Sequence, residues 1–354
     1  MATASLSSEI FGSLPTGESV ESWTIAGAGG LVAEILTYGG IVRRLFVPGR
    51  NGRLDDVVLG FSQLDSYLED RAYFGAIVGR VAGRIPRARF ILEGKTYELA
   101  ANESTNHLHG GRDGFNKKRW KATPCVQDQD RPSLRLEYFS PDGEEGYPGS
   151  VQVAVTYTVT PDNSLFIQSE ATSDRTTPFS LTYHLYFNLA GESAGTVAGH
   201  ELQIHADQFV AVDENLAPLG ELRDVTSSND FRHLRRVEDA IPHLFQSHGD
   251  LYRIHRLPGR DTPGCRVPAA RLVHQSSGRV MEVSTTTTYL QFYSGVGLNG
   301  SLAGKQGSMY GRFAGVCLEC EGSPLGVSDP SSGGALLCPG RLQSEVTQFS
   351  FGTL

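Results

Sequence analysis

The chain has 354 residues, 39% apolar and 20% charged, which is globular and long enough to bury a large core. Lys and Arg number 31 against 39 Asp and Glu, a net charge of −8, which argues against nucleic-acid binding through a basic face. No run of about 18 apolar residues occurs, so no membrane span is expected, and the first twenty residues contain no basic-then-apolar signal segment.

Glycine numbers 41, above the usual ~7% of residues, which predicts many turns between short strands. In chain order, Gln63 to Arg71 reads as a short helix. Val151, Val153, Val155, Tyr157 and Val159 alternate with Gln152, Ala154, Thr156 and Thr158, a strand with two different faces. Asp230 to Asp239 reads as a second short helix, inside a charged, His-rich stretch from Arg223 to Pro268 that reads as long loops. Arg279 to Ser284, Leu290 to Tyr293 and the alternation of Thr347, Phe349 and Phe351 are strands rich in β-branched and aromatic residues. No regular strand–helix–strand alternation is present, which disfavours parallel α/β folds. The expected architecture is all-β: a large antiparallel β-sandwich with few short helices, one domain over residues 1–354 with a core from about 11 to 351. The scattered Cys125, Cys265, Cys317, Cys320 and Cys338 do not make a disulfide framework, so a reducing cytoplasm is expected.

Four segments carry chemistry. Asn106-His-Leu-His-Gly-Gly111 places His107 and His109 two apart, on one face of an extended chain. They suit a metal pair with Asp113, an acid/base on a ligand, or a polar turn. His184 sits among apolar and aromatic residues from Pro178 to Gly191, where burial and neighbouring charge tune an imidazole near neutral pH, unless it is a satisfied core histidine. Glu319 lies in the apolar run Ala314 to Glu321, and a carboxylate there is costly unless paired or given a task. A structural ion pair with Arg84 is the plain alternative. In a strand Cys317 and Cys320 face opposite ways, against a zinc or redox Cys pair. Gly79 to Ile85 offers Arg80 and Arg84 beside glycines but lacks a phosphate-loop ending. Together these supply a carboxylate, histidines and an arginine, a set suited to proton transfer on a polyhydroxylated neutral ligand.

In this order the residues resemble the aldose 1-epimerase, or galactose mutarotase, family. The resemblance runs from about Phe11 to Phe351. It is carried by Leu36-Thr-Tyr-Gly-Gly40, Val57-Val-Leu-Gly-Phe61, Tyr73-Phe-Gly-Ala-Ile-Val-Gly-Arg-Val-Ala82 and Leu108-His-Gly-Gly111. It continues through Gly146-Tyr-Pro-Gly149, His184-Leu-Tyr-Phe-Asn-Leu-Ala-Gly191, Asp230-Phe-Arg232, Leu290-Gln-Phe-Tyr-Ser-Gly295 and Cys317-Leu-Glu319. The family's supersandwich agrees with the alternation above. The resemblance implies interconversion of the α and β anomers of a free aldose. Glu319 would be general base on the C1 hydroxyl, His184 general acid on the ring oxygen, and His109 a hydrogen-bonding partner at the reacting centre. Arg84, Gln291 and Asp250, from His248-Gly-Asp-Leu-Tyr-Arg253, would bind sugar hydroxyls. No metal and no cofactor are implied; the partner is the small-molecule sugar, and the chain is expected to be a monomer.

The sequence departs from the family at four points. Gly83 and Tyr183 stand where the family has Asn, and Glu321 and Leu325 where it has Gln and Asp. These leave the sugar open and admit a relative acting on a hexose 6-phosphate or another hemiacetal. A non-catalytic sugar binder on the same fold is a different class, disfavoured by the joint presence of Glu319, His184 and His109. A cupin-like metal enzyme using His107, His109 and Asp113 explains none of the other motifs.

Overall fold

The computed structural model describes the whole chain except residues 1–2, 126–127, 129, 257–263, 302, 324–326 and 328–334. Three antiparallel sheets dominate it. The first is a five-stranded meander of Ser5–Ser13, Ser19–Ala26, Val32–Leu36, Val42–Pro48 and Leu54–Asp56. The second has nine strands and is joined across its middle by the long C-terminal strand Gln343–Thr353, which pairs with Ser164–Ser173 on one side and Arg279–Thr285 on the other. The third has six strands in the order Tyr186–Phe187, Val316–Glu321, Tyr289–Tyr293, Leu251–Arg253, Gln208–Val212 and Pro218–Asp224.

The expected strands are present and their periodicity has the expected cause. Val151, Val153, Val155, Tyr157 and Val159 are all buried while Gln152 is exposed, because successive side chains leave opposite faces of the sheet. One buried cluster takes Ile25 and Ile35 from the first sheet, Val155 and Phe349 from the second, and Phe292 and Leu318 from the third. The three sheets therefore share an apolar interior.

The helices are short, as expected, but one is displaced. Leu64–Leu68 lies inside the predicted span. Over Asp230 to Asp239 the chain instead forms the two-residue strand Arg235–Arg236 and the start of a 3-10 turn, Val237–Ala240. The α-helix follows at Ile241–Ser247, with Pro242 in its first turn, where the missing N–H costs no hydrogen bond. Arg232 is tied back to Asp230 by two side-chain hydrogen bonds of 3.0 and 2.7 Å, which holds the earlier segment as a loop. The stretch read as long loops thus contains a helix and the strand Leu251–Arg253; residues 257–263 of it lie outside the described residues. All five cysteines are free. Among the described residues no helix is long and apolar enough to cross a membrane.

Arg80 is structural, and its partners are not the acids of an ion pair. Its buried guanidinium donates to the carbonyls of Ser140, Pro141, Pro148 and Gly149 and to Ser140 Oγ, at 2.7–3.1 Å. Arg80→Met is expected to orphan these acceptors and lower unfolding stability by about 3 kcal/mol in urea titrations.

Candidate active site

The site rests on the alternation of strand Val316–Glu321, every residue of which is buried. Val316, Leu318 and Cys320 enter the shared interior. Cys317, Glu319 and Glu321 therefore turn to the other face. The adjacent strand sets Gln291 opposite Glu319 and Tyr293 opposite Cys317. The next sets Leu251 opposite Gln291, which brings Asp250 to the same row. On the far side Tyr186 pairs with Cys317, and His184, just before it, is fixed by its N–H to Ala76 O at 3.0 Å and its carbonyl from Gly75 N at 2.9 Å. His107–Leu108 pairs with Arg84–Ile85, and His109 follows the pairing. A Cβ at Gly110 would lie 1.8 Å from Gly79 O, so only glycine lets that turn pass. The result is a cavity of about 760 Å³ lined by all six expected residues, Arg84, His109, His184, Asp250, Gln291 and Glu319.

At its floor, His184 Nε2 is 3.6 Å from Glu319 Oε1, and one ligating atom from each of His109, His184 and Glu319 falls within a 4.8 Å group. Glu319 Oε2 is buried with no hydrogen-bond partner, a costly condition unless a ligand completes it. His184 Nδ1 is 3.5 Å from Cys317 Sγ. Burial raises the Cys317 thiol well above its usual value, helped by the Glu319 charge, so it stays S–H. It can donate to a bare Nδ1 or accept from a protonated one, serving His184 in both states. His109 Nδ1 accepts from Gly83 N at 3.2 Å, which leaves the neutral ring's proton on Nε2. Tyr73 and Tyr186 stack on His184 with ring centres 5.8 and 5.0 Å away.

The roles of general base and general acid call for an ionised Glu319 beside a protonated His184; burial opposes both charges. It lowers His184 to about 4 and raises Glu319 well above the usual carboxylate range, Glu321 adding to the rise and Arg84 opposing it. Burial thus favours the uncharged forms of both groups, with a shared proton lying toward Glu319. His109 is likewise held well below its usual value by burial first, then by the charges of His184 and Arg84.

Other expectations are corrected. His107 does not share the site with His109. His109 takes φ +54°, which breaks the extended geometry, and His107 is fully buried with Nδ1 2.8 Å from Ala100 O. Asp113 is exposed and bound to Lys118 at 2.7 Å. These two positions remove the proposed His107–His109–Asp113 metal set. Arg84 does not pair with Glu319; its Nε and Nη2 each reach Glu103 at 2.6 Å. Tyr183 packs in the shared interior, away from the cavity, so that departure does not reshape the pocket, whereas Gly83 and Glu321 line it. Leu325 lies outside the described residues. Sequence reasoning missed Glu103, the His184 partners Tyr73 and Cys317, and His243, whose Nε2 is 2.8 Å from Asp250.

His109, His184 and Glu319 are the described residues best able to hold a metal. Tetrahedral zinc would want its ligand atoms roughly 3.3 Å apart, so the set would have to contract from its 4.8 Å envelope. At its present spacing it suits proton transfer through a bound hydroxyl.

Glu321 is 3% exposed and raised to about 8, chiefly by burial, with Arg84 opposing. A carboxyl held protonated in the fold but ionised when unfolded loses stability as pH rises from the unfolded value to the folded one. Glu321→Gln is therefore expected to raise the melting temperature, with a gain absent below about pH 4.5 and growing up to pH 8. Thermal melts across that range check the sign.

Comparison with known proteins agrees with this geometry. The aldose 1-epimerase family profile matches residues 21–350. Galactose mutarotase of Sus scrofa is 41% identical over 350 residues, covering 98% of each chain. Aldose 1-epimerase of Escherichia coli is 31% identical over 344 residues, covering 95% of this chain and 96% of that one. The crystal structure of an aldose epimerase homologue from C. elegans superposes with a TM-score of 0.85 at 28% identity, covering 94% of this chain and 98% of that chain. With its strand order, its buried Glu319–His184 pair and these relatives in agreement, the chain belongs to the aldose 1-epimerase family.

Proposed function

We propose that this isomerase interconverts the anomers of neutral free hexoses, glucose and galactose being the first candidates, with Glu319 and His184 exchanging protons with the sugar. The observation that carries the reading is the unpartnered Oε2 of Glu319, buried beside His184 at the floor of the cavity. A C1 hydroxyl donating to Oε2 favours the carboxylate, and the pair's proton passes to His184. Glu319 then takes the O1 proton as His184 Nε2 gives one to the ring oxygen. The C1–O5 bond breaks and the aldehyde forms. After rotation about C1–C2 the steps reverse: His184 takes the O5 proton, O5 attacks C1, and Glu319 returns a proton to O1. Nε2–H of His109 donates to a sugar oxygen at this centre. Arg84, braced by Glu103, with Gln291 and Asp250, braced by His243, hold hydroxyls.

The cavity's charge speaks for a neutral sugar. Glu69, Glu103 and Asp250 line it against Arg71 and Arg84, beside the buried carboxyls Glu319 and Glu321. A hexose 6-phosphate would meet no surplus of positive charge here. A non-catalytic binder would have no need of a carboxyl and an imidazole matched as base and acid 3.6 Å apart. The chain is read as one domain, supported by the apolar interior common to the three sheets, and as a cytoplasmic monomer, the compartment being supported by the free cysteines.

Polarimetry on freshly dissolved α-D-glucose and α-D-galactose, in buffer with a chelator, tests the reading. Faster approach to equilibrium is expected with either sugar. Acceleration confined to a phosphorylated sugar, or abolished by chelation, would replace it.

A further inference from the structure

Glu321 is a buried carboxyl for which the anomer exchange above has no task. It lines the cavity on the same strand face as Glu319, two residues along. Arg84 is the cation nearest in effect, but its Nε and Nη2 are committed to Glu103. Gly83 stands directly against it. A Cβ built there would meet only one atom within 4 Å, Glu321 Oε1 at 3.4 Å. Any side chain at position 83 would therefore begin in the space in front of the carboxyl. That space is open because residue 83 has none, and φ +73° makes glycine the comfortable occupant.

A buried carboxyl faced by open cavity, with the nearby arginine turned to Glu103, calls for a partner that brings N–H or O–H donors. Glu69, Glu103 and Asp250 against Arg71 and Arg84 leave the cavity slightly negative, which favours a partner that also brings positive charge. We propose that Glu321 and the opening at Gly83 form a subsite for the ammonium group of an amino aldose, extending the substrates of this mutarotase to aminohexoses. The inference rests on the proposed sugar site. It differs in its test, because it is read by binding and not by turnover. Ion pairing would ionise Glu321, so binding should also release a proton to the buffer.

Isothermal titration at pH 7 on the full chain compares glucose, 2-amino-2-deoxyglucose, 6-amino-6-deoxyglucose and N-acetylglucosamine. One of the two amino sugars is expected to bind about tenfold or more tightly than glucose, the value of a charge-assisted hydrogen bond. Which one does so places the subsite at C2 or C6. Its enthalpy should vary with the ionisation heat of the buffer. In Glu321→Gln the preference for the amino sugar over glucose should vanish together with the buffer dependence. Gly83→Asn, a residue tolerant of positive φ, should also remove the preference by filling the space. No amino-sugar preference in the wild type, or one that persists in Glu321→Gln, overturns the subsite. Absence of glucose mutarotation would overturn the proposed function and leave this binding result to be judged on its own.

Discussion

Glu319→Gln is expected to fold normally and to lose about 10²–10⁴-fold of the mutarotation rate. The two halves of this expectation have one cause. Glu319 is 2% exposed, its Oε2 has no partner, and burial favours its neutral form. Glutamine copies the shape of the neutral acid that burial favours, so the fold loses little. What glutamine cannot do is accept the O1 proton. Polarimetric kcat/KM and a thermal melt on the same preparation separate the effects. A rate within tenfold of wild type would remove Glu319 as the base and direct the assay to Glu321, the other buried carboxyl on that face.

Much of this site follows from a two-residue period. Once Val316–Glu321 is a strand, Cys317, Glu319 and Glu321 must share a face, and the Cys317–Cys320 pair must divide. That much was legible in the residues alone. Gln291 follows from the resemblance, and His184 stands out locally as an imidazole among apolar and aromatic residues, but the reasons for both are non-local. Gln291 matters because register sets it opposite Glu319. His184 matters because Tyr186 pairs with Cys317 and carries the histidine to the same place. No local pattern encodes those partners. Nor does one connect Arg84 with Glu103, nineteen residues away, or Asp250 with His243 across a helix end. The extended-chain argument failed for His107 and His109 because His109 adopts φ +54°, a conformation imposed by the turn and the Gly83 contact. The neutral empty pair was illegible for a related reason. Reference pKa values describe solvated groups, and burial, a property of the whole fold, opposes both expected charges.

His184→Gln is expected to lose a similar 10²–10⁴-fold of rate and, in addition, to change the shape of the pH profile. In the proposed mechanism the active form carries one proton on the Glu319–His184 pair. Acid adds a second proton to His184, and burial delays that addition from the usual histidine value down to about pH 4. Alkali removes the last proton from Glu319, and burial delays that loss to well above the usual carboxylate range. The wild-type kcat/KM should therefore show its acid limb near pH 4 and no acid break near 6.5, where a solvent-exposed histidine would titrate. Without His184 the residual activity should lose the acid limb that histidine protonation causes and keep the limb belonging to Glu319. A wild-type profile that breaks near pH 6.5 and a His184→Gln profile with the same break would place the titrating acid elsewhere in the cavity. His248 at its wall, lowered more modestly by burial, would then be the group to change next.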